Sequence, residues 1–261
     1  MTPDLSALLS IAQLGQDRFR AGPEEHGGFL FGGFTMAVAL AVAGRTVAPE
    51  LVPKSLRTAF LSEGRWGAME ASTQPVNTSR SFSGRRVSIQ QAGRTIAVAD
   101  ATFHRPEEGI DRSTCVAPHV PSPSELGPGR DWSYGLDAME VRPLTPVAGA
   151  MAGRLHPYWA RIREDLDDGH LINGAALAFM SDFAVIYSPF DPSIREAVGW
   201  RSLTLEHSVW FHRPFRASRW LLFDASPLTQ SGGRYVTRGT IFDEAGTLVA
   251  SFVQEGLTRR S

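Results

Sequence analysis

The sequence predicts an α+β fold made of two similar halves, each a nearly uncharged helix followed by antiparallel strands that curve around it. Three observations lead there. The two ends of the chain read alike at an almost constant offset: Phe60 in TAFLSEGRW lies against Phe211 in SVWFHRPFR, and Ile96 in QQAGRTIAVADATF against Leu248 in DEAGTLVASFVQ, 151 and 152 residues apart. Upstream of each repeat sits an apolar helix candidate, GGFTMAVALAVAG (32–44) in the first half and NGAALAFMSDFAVIYS (173–188) in the second. Between the halves, residues 105–130 are rich in Pro, Gly and Ser, the composition of a crossover linker.

The helices come first because they dictate the rest. A helix with so little polar surface must be covered nearly all round, and a strongly curved sheet supplies that cover. Residues 27–44 carry no charge and approach the length of a bilayer span, but Gly27, Gly28, Gly32 and Gly33 break the run and leave about a dozen helical residues, the length of a buried core helix. No membrane span is expected. Alternation in 86–89, 95–103, 235–242 and 247–253 marks strands, and the AG and EAG turns between them mark hairpins. The expected organisation is an N-terminal unit over 1–106, a linker over 107–135 and a C-terminal unit over 136–261, with two curved sheets side by side.

Composition narrows the function. The 261 residues, 43% hydrophobic, suffice for a sizeable core. With 26 basic against 27 acidic residues the chain has no electrostatic footprint for nucleic acid, so an anionic ligand must meet a local patch of Arg. The single Cys115 forbids an intramolecular disulfide, and MTPDLSALLS lacks the features of a secretory signal, so a cytoplasmic location is expected. The oligomeric state is left open, a homo-oligomer included.

One residue stands out chemically. Asp182 lies within an otherwise apolar helical run, and an ionised carboxylate there must cap something, face water or do chemistry. Ser181 and Asp182 are also N-cap types, Thr204 is an ordinary strand residue and Gln254 an ordinary strand-end residue. His207 and His212, five apart on one strand, point to opposite faces and so do not share a metal; they read as packing or hydrogen-bonded histidines. HGG at 26–28 has no G-x-S-x-G to accompany it, which disfavours a serine hydrolase. Arg80, Arg85 and Arg86 cluster in SRSFSGRR, a candidate phosphate site as well as a solvated strand edge, and HRPFRASR (212–219) is a second basic patch.

Taken in order, FGG (31–33), FLSEG (60–64), SRSFSGRRV (79–87), EVRP (140–143), LAFMSDF (177–183), EHSVWFHRPF (206–215) and LVASFVQEGLTR (248–259) resemble the type II acyl-CoA thioesterases, the TesB-like family of tandem hotdog domains. The resemblance covers most of the chain apart from the linker. It implies a double hotdog that hydrolyses acyl-CoA to free acid and coenzyme A without metal or redox cofactor. The family's water-activating residues are an Asp on the second helix, a Thr just before the HSxWFHRPF strand and a Gln in the closing VQEG, which fall here on Asp182, Thr204 and Gln254. Gly32 and Gly33 would allow close backbone approach near a helix terminus, where the oxyanion donor is expected but not assigned.

The same resemblance frames substrate binding. Phe29, Phe34, Phe179 and Phe183 are candidates to line the acyl chain, and Arg80, Arg85 and Arg86 to meet the phosphates. With the two helices superposed by eye, Gly33 falls near the position of Asp182, so the first half would lack the acid and each chain would hold one site. Phe34 stands where relatives usually carry Gln, and Ser62 where they carry a basic residue, departures that bear on substrate identity. Two alternatives remain: a non-catalytic acyl-CoA binding or sensing protein, and a hydratase or dehydratase of enoyl thioesters. The latter would want a histidine near a helix, His170 being the nearest.

Overall fold

A computed structural model describes residues 5, 9–22, 27–128, 136–144, 156–183, 185 and 200–260. The elements are β1 (Ile11–Gly15), β2 (Arg18–Ala21), α1 (Gly32–Gly44), β3 (Val52–Phe60), β4 (Met69–Thr78), β5 (Phe82–Gln91), β6 (Arg94–His104), β7 (Met139–Pro143), β8 (Tyr158–Ile162), α2 (His170–Ser181), β9 (Trp200–Phe211), β10 (Leu221–Ser231), β11 (Arg234–Asp243) and β12 (Leu248–Arg260). The fold is α+β, as the alternation and the two apolar helices predict.

The two expected sheets are one. Its strands run in the order β1-β2-β4-β5-β6-β3-β9-β12-β11-β10-β8-β7, and the seam between the halves is the antiparallel pairing of β3 with β9. Arg57 pairs with Ser208 across that seam. These residues are also 151 apart, the repeat offset read from the sequence, so a local two-fold axis passes between them and relates β4-β5-β6-β3 to β10-β11-β12-β9. The AG and EAG turns fall where expected, Ala92 and Gly93 between β5 and β6 and Glu244 to Gly246 between β11 and β12, with positive φ at Ala92, Gly93 and Gly246; Gly232 and Gly233 make a further positive-φ turn between β10 and β11.

Every residue of α1 from Gly33 to Ala43 is buried, and so is α2 from Asn173 to Ser181. The helices run antiparallel in close contact. A Cβ on Gly33 would come within 2.2 Å of the Phe179 carbonyl oxygen, and one on Gly44 within 2.3 Å of a Leu171 methyl, so these glycines set the approach. The second helix is shorter than the sequence predicts. It stops at Ser181, with Asp182 as its C-cap and the Phe183 amide donating back to the Met180 carbonyl. Part of the apolar run that follows, Ala184 and 186–188, lies outside the described residues.

The described part of the linker, 107–128, holds one short 3-10 turn, Pro123–Glu125. From 105 to 122 it forms no helix or strand, and Ala117 and Val120 pack against the small outer cluster of Trp159, Leu222 and Phe242. Trp159 Nε1 donates to the Pro121 carbonyl (2.9 Å), and Arg213 pairs with Asp111. No described helix is long and apolar enough to cross a membrane.

Candidate active site

Antiparallel packing brings the C-terminus of α2 to the N-terminus of α1, and Asp182 sits at that junction. Its carboxylate accepts hydrogen bonds from the Gly33 backbone amide and from the Thr204 side chain on β9. A Cβ on Gly32 would fall 2.7 Å from Oδ2, so the carboxylate lies directly against the first turn of α1. That turn suits an anion, because its amides have no intrahelical partners and the helix dipole is positive there. Burial nevertheless outweighs both hydrogen bonds and pushes the Asp182 carboxyl up to about 7.

The other carboxylate oxygen has no hydrogen-bond partner among the described residues. Oδ1 lies 3.8 Å from Nδ1 of His207, beyond hydrogen-bond reach. His207 is fully buried on β9 and stacks on Phe252, with ring centroids 5.4 Å apart. Its Nδ1 is 2.8 Å from Oε1 of Gln254, which stands opposite it on β12, and Gln254 Nε2 donates to the Tyr235 hydroxyl at 3.4 Å. Its Nε2 is 3.1 Å from the Ser181 hydroxyl. Burial lowers the imidazole to about 4, so near neutrality it carries no charge and makes no ion pair with Asp182.

The structure thus joins Asp182 directly to Thr204, and both Asp182 and Gln254 approach one imidazole nitrogen. Gly32 and Gly33 touch the carboxylate. Phe183 follows it and meets Tyr158 edge-on at 5.6 Å. Phe34 is fully buried against Trp66, with ring centroids 5.1 Å apart, in the packing around α1. Phe179 packs edge-on against Phe31 where the helices meet, while Phe29 is exposed.

The fold disperses the arginine cluster. Arg85 is buried and donates to the Thr46 hydroxyl and carbonyl, the Asn77 and Gly84 carbonyls and the Thr78 hydroxyl. Arg86 forms a two-pronged pair with Asp100. Neighbours on a strand point to opposite faces, so a cluster in sequence is not one in space. Arg85 sits at the C-terminal end of α1, about 20 Å along that helix from Asp182. Arg80 is exposed in the β4–β5 turn. In the second basic patch, Arg213 pairs with Asp111 and Arg216 with Asp168.

Gly33 is not the counterpart of Asp182 but its contact. The residue at the equivalent C-cap position of α1 is Arg45. The two-fold relates His207 to Leu56 and Gln254, which pairs with His207, to Ala101, which pairs with Leu56, so the first half holds apolar side chains where the second holds the polar cluster. His170 opens α2, at the far end from Asp182. His207, Ser181 and Tyr235 are the residues that sequence reasoning missed as site members; only strand register puts His207 beside Gln254, 47 residues away.

Comparison with known proteins decides the membership. Residues 21–104 match the acyl-CoA thioesterase N-terminal domain, and residues 113–258 match the acyl-CoA thioesterase C-terminal domain. The chain belongs to the acyl-CoA thioesterase family. It is 26% identical to the human acyl-coenzyme A thioesterase 8, covering 98% of this chain and 88% of that protein, and 27% identical to acyl-CoA thioesterase 2 of Haemophilus influenzae, covering 99% and 98%. Among solved structures, the acyl-CoA thioesterase II TesB2 of Mycobacterium marinum superposes with a TM-score of 0.83 at 31% identity over 98% of this chain and 97% of that one. A hot dog fold protein from Alicyclobacillus acidocaldarius, 21% identical, superposes at 0.77 over the whole of both chains. This acyl-CoA thioesterase therefore has the hot dog fold.

Proposed function

We infer that the chain hydrolyses acyl-CoA thioesters to the free acid and coenzyme A, and we propose that Asp182, with Thr204 and Gln254, activates the water. The observation that carries this reading is the state of Asp182: buried, with Oδ2 against a helix N-terminus and Oδ1 without a hydrogen-bond partner among the described residues. A carboxyl held at about 7 is half ionised at neutral pH and a far stronger base than an exposed aspartate. In this scheme the carboxylate takes a proton from water as the water oxygen bonds to the thioester carbon. The tetrahedral adduct then expels the thiolate by breaking the C–S bond, and the acid returns the proton to sulfur. Helix N-terminal amides at the start of α1 suit the developing oxyanion.

The finer architecture follows the two-fold: a double hotdog with units over 1–106 and 136–261 joined by 107–135, acting in the cytoplasm, with Arg80 available to the phosphates of the substrate. The test is thiol release over a panel of acyl-CoAs, run beside Asp182→Asn. Turnover should fall by about 10²–10⁴-fold in the variant. Full activity in Asp182→Asn overturns the assignment, and no thiol release by the wild type from any substrate favours the binding-protein reading.

A further inference from the structure

Four buried side chains form a line that the water-activating residues do not by themselves explain. Ser181, the last residue of α2, meets His207 Nε2; His207 Nδ1 meets Gln254 Oε1; and Gln254 Nε2 meets the Tyr235 hydroxyl, at 3.1, 2.8 and 3.4 Å. Ser181, His207, Gln254 and Tyr235 are each fully buried. With the Gln254 amide oxygen turned toward the ring, the direction of every proton along this line is set. An amide oxygen can only accept, so the ring nitrogen that faces it must carry the hydrogen. A neutral imidazole protonated on Nδ1 has a bare lone pair on Nε2, and that lone pair takes the Ser181 hydroxyl proton in preference to the Ala178 carbonyl, which lies 3.0 Å from the same oxygen.

We propose that His207 is a positioning residue: Ser181 donates to its Nε2, and its Nδ1–H in turn captures the carbonyl of Gln254, so that the amide offers an N–H donor rather than an acceptor to the reacting water. This rests on the reading of Gln254 as a water-holding residue. The polarity matters for the chemistry. A nucleophilic water must give a proton to Asp182 and keep a lone pair for the carbonyl carbon, and a donor on its oxygen leaves its protons free to reach the carboxylate. An amide turned the other way would compete with Asp182 for those protons. The reverse line is equally well bonded: Nε2–H to Ser181, Ser181 to the Ala178 carbonyl, and a flipped Gln254 donating to Nδ1. The two directions are therefore distinguished by the ring proton alone.

The first measurement is the tautomer of His207 in 15N-histidine-labelled protein at pH 7, with its signals assigned by their loss in His207→Asn. A proton on Nδ1 is expected. The second is steady-state kinetics. Ser181→Ala, which removes the donor to Nε2, should lower kcat by about tenfold or more with KM little changed, and should shift the ring toward the other tautomer. His207→Asn, which keeps an N–H near the Nδ1 position, should retain more activity than His207→Gln or His207→Leu. A proton on Nε2 in the wild type, or wild-type kcat in Ser181→Ala, overturns the proposal. Asp182→Asn separates the two readings: if that variant stays active, the water-activation scheme fails whatever the tautomer, and if it is dead while Ser181→Ala is unimpaired, only the positioning role fails.

Discussion

Asp182 closes the C-terminus of α2 with its backbone while its side chain accepts the Gly33 amide at the N-terminus of α1, so one residue ties together the two antiparallel helices at the centre of the fold. The contact sets two opposed influences on one carboxyl. Burial disfavours its charge, and the Gly33 and Thr204 hydrogen bonds favour it.

The first consequence is a pH profile. With Asp182 as the proposed base, kcat/KM should rise with pH through a limb near 7 and level off above it. Thr204→Val removes a hydrogen bond that lowers the carboxyl, so its limb should move to higher pH as well as its rate falling. A limb that stays in place in Thr204→Val would detach Thr204 from the carboxylate; one near 4 would place the working base elsewhere.

Stability should respond in the opposite sense to activity. The unfolded chain releases the Asp182 proton near 3.8, whereas the folded chain holds it to about 7, so raising the pH between these values withdraws stability from the wild type. By the size of that shift the ionised acid costs on the order of 4 kcal/mol. Asp182→Asn does not titrate. It should unfold at a temperature higher than the wild type at pH 8, by roughly 8 °C at about 2 °C per kcal/mol for a chain of this size, with the gap narrowing as the pH falls toward 4. Thermal melts across pH check this, and a variant less stable at pH 8 refutes it.

Two adjacent glycines should separate packing from chemistry. A Cβ on Gly33 would press within 2.2 Å of the Phe179 carbonyl and 2.5 Å of the Phe31 ring, backbone and aromatic atoms that cannot yield cheaply, so Gly33→Ala should destabilise by about 2–4 kcal/mol. On Gly32 the added carbon would meet Oδ2 of Asp182 at 2.7 Å and the Phe60 ring at 3.1 Å. Gly32→Ala should therefore displace the carboxylate and lose activity by about a hundredfold, with the smaller effect on stability. Denaturant titrations beside thiol-release rates distinguish the two; equal losses in both variants would mean that the glycines serve packing alone.

What the sequence made legible were features carried by local pattern or by repetition. Uncharged helices, alternating strands and the AG turn follow from side-chain type, and the 151-residue offset reappears as the Arg57–Ser208 pair at the two-fold. Asp182 was visible because a carboxylate in an apolar run has few explanations. What was hidden depends on direction in space. Helix polarity decides that Gly33 touches Asp182 instead of matching it, and strand register decides that His207 faces Gln254. The end of α2 was misjudged because apolar residues continue past it, and hydrophobicity does not mark where a helix stops when the next segment is buried too, as Phe183 and Val185 are.

The arginines supply the last test, because sequence proximity groups them and the fold separates them. Arg85 is buried with its guanidinium spread over oxygens of Thr46, Asn77, Thr78 and Gly84, which anchors the segment that leaves α1. Arg85→Met would leave several of those oxygens without donors in the interior and should destabilise by about 2–4 kcal/mol, while the KM of the folded enzyme for acyl-CoA stays unchanged. Arg86 and Asp100 are an exposed pair, so Arg86→Ala should leave both stability and KM nearly unchanged. Arg80 is free in the β4–β5 turn to meet a phosphate, and Arg80→Ala should raise KM severalfold, more so at low salt because an exposed charge contact is screened as ionic strength rises. A KM unmoved in Arg80→Ala but raised in Arg85→Met at full folding would return the phosphate site to the buried arginine and contradict the contacts that hold it in the core.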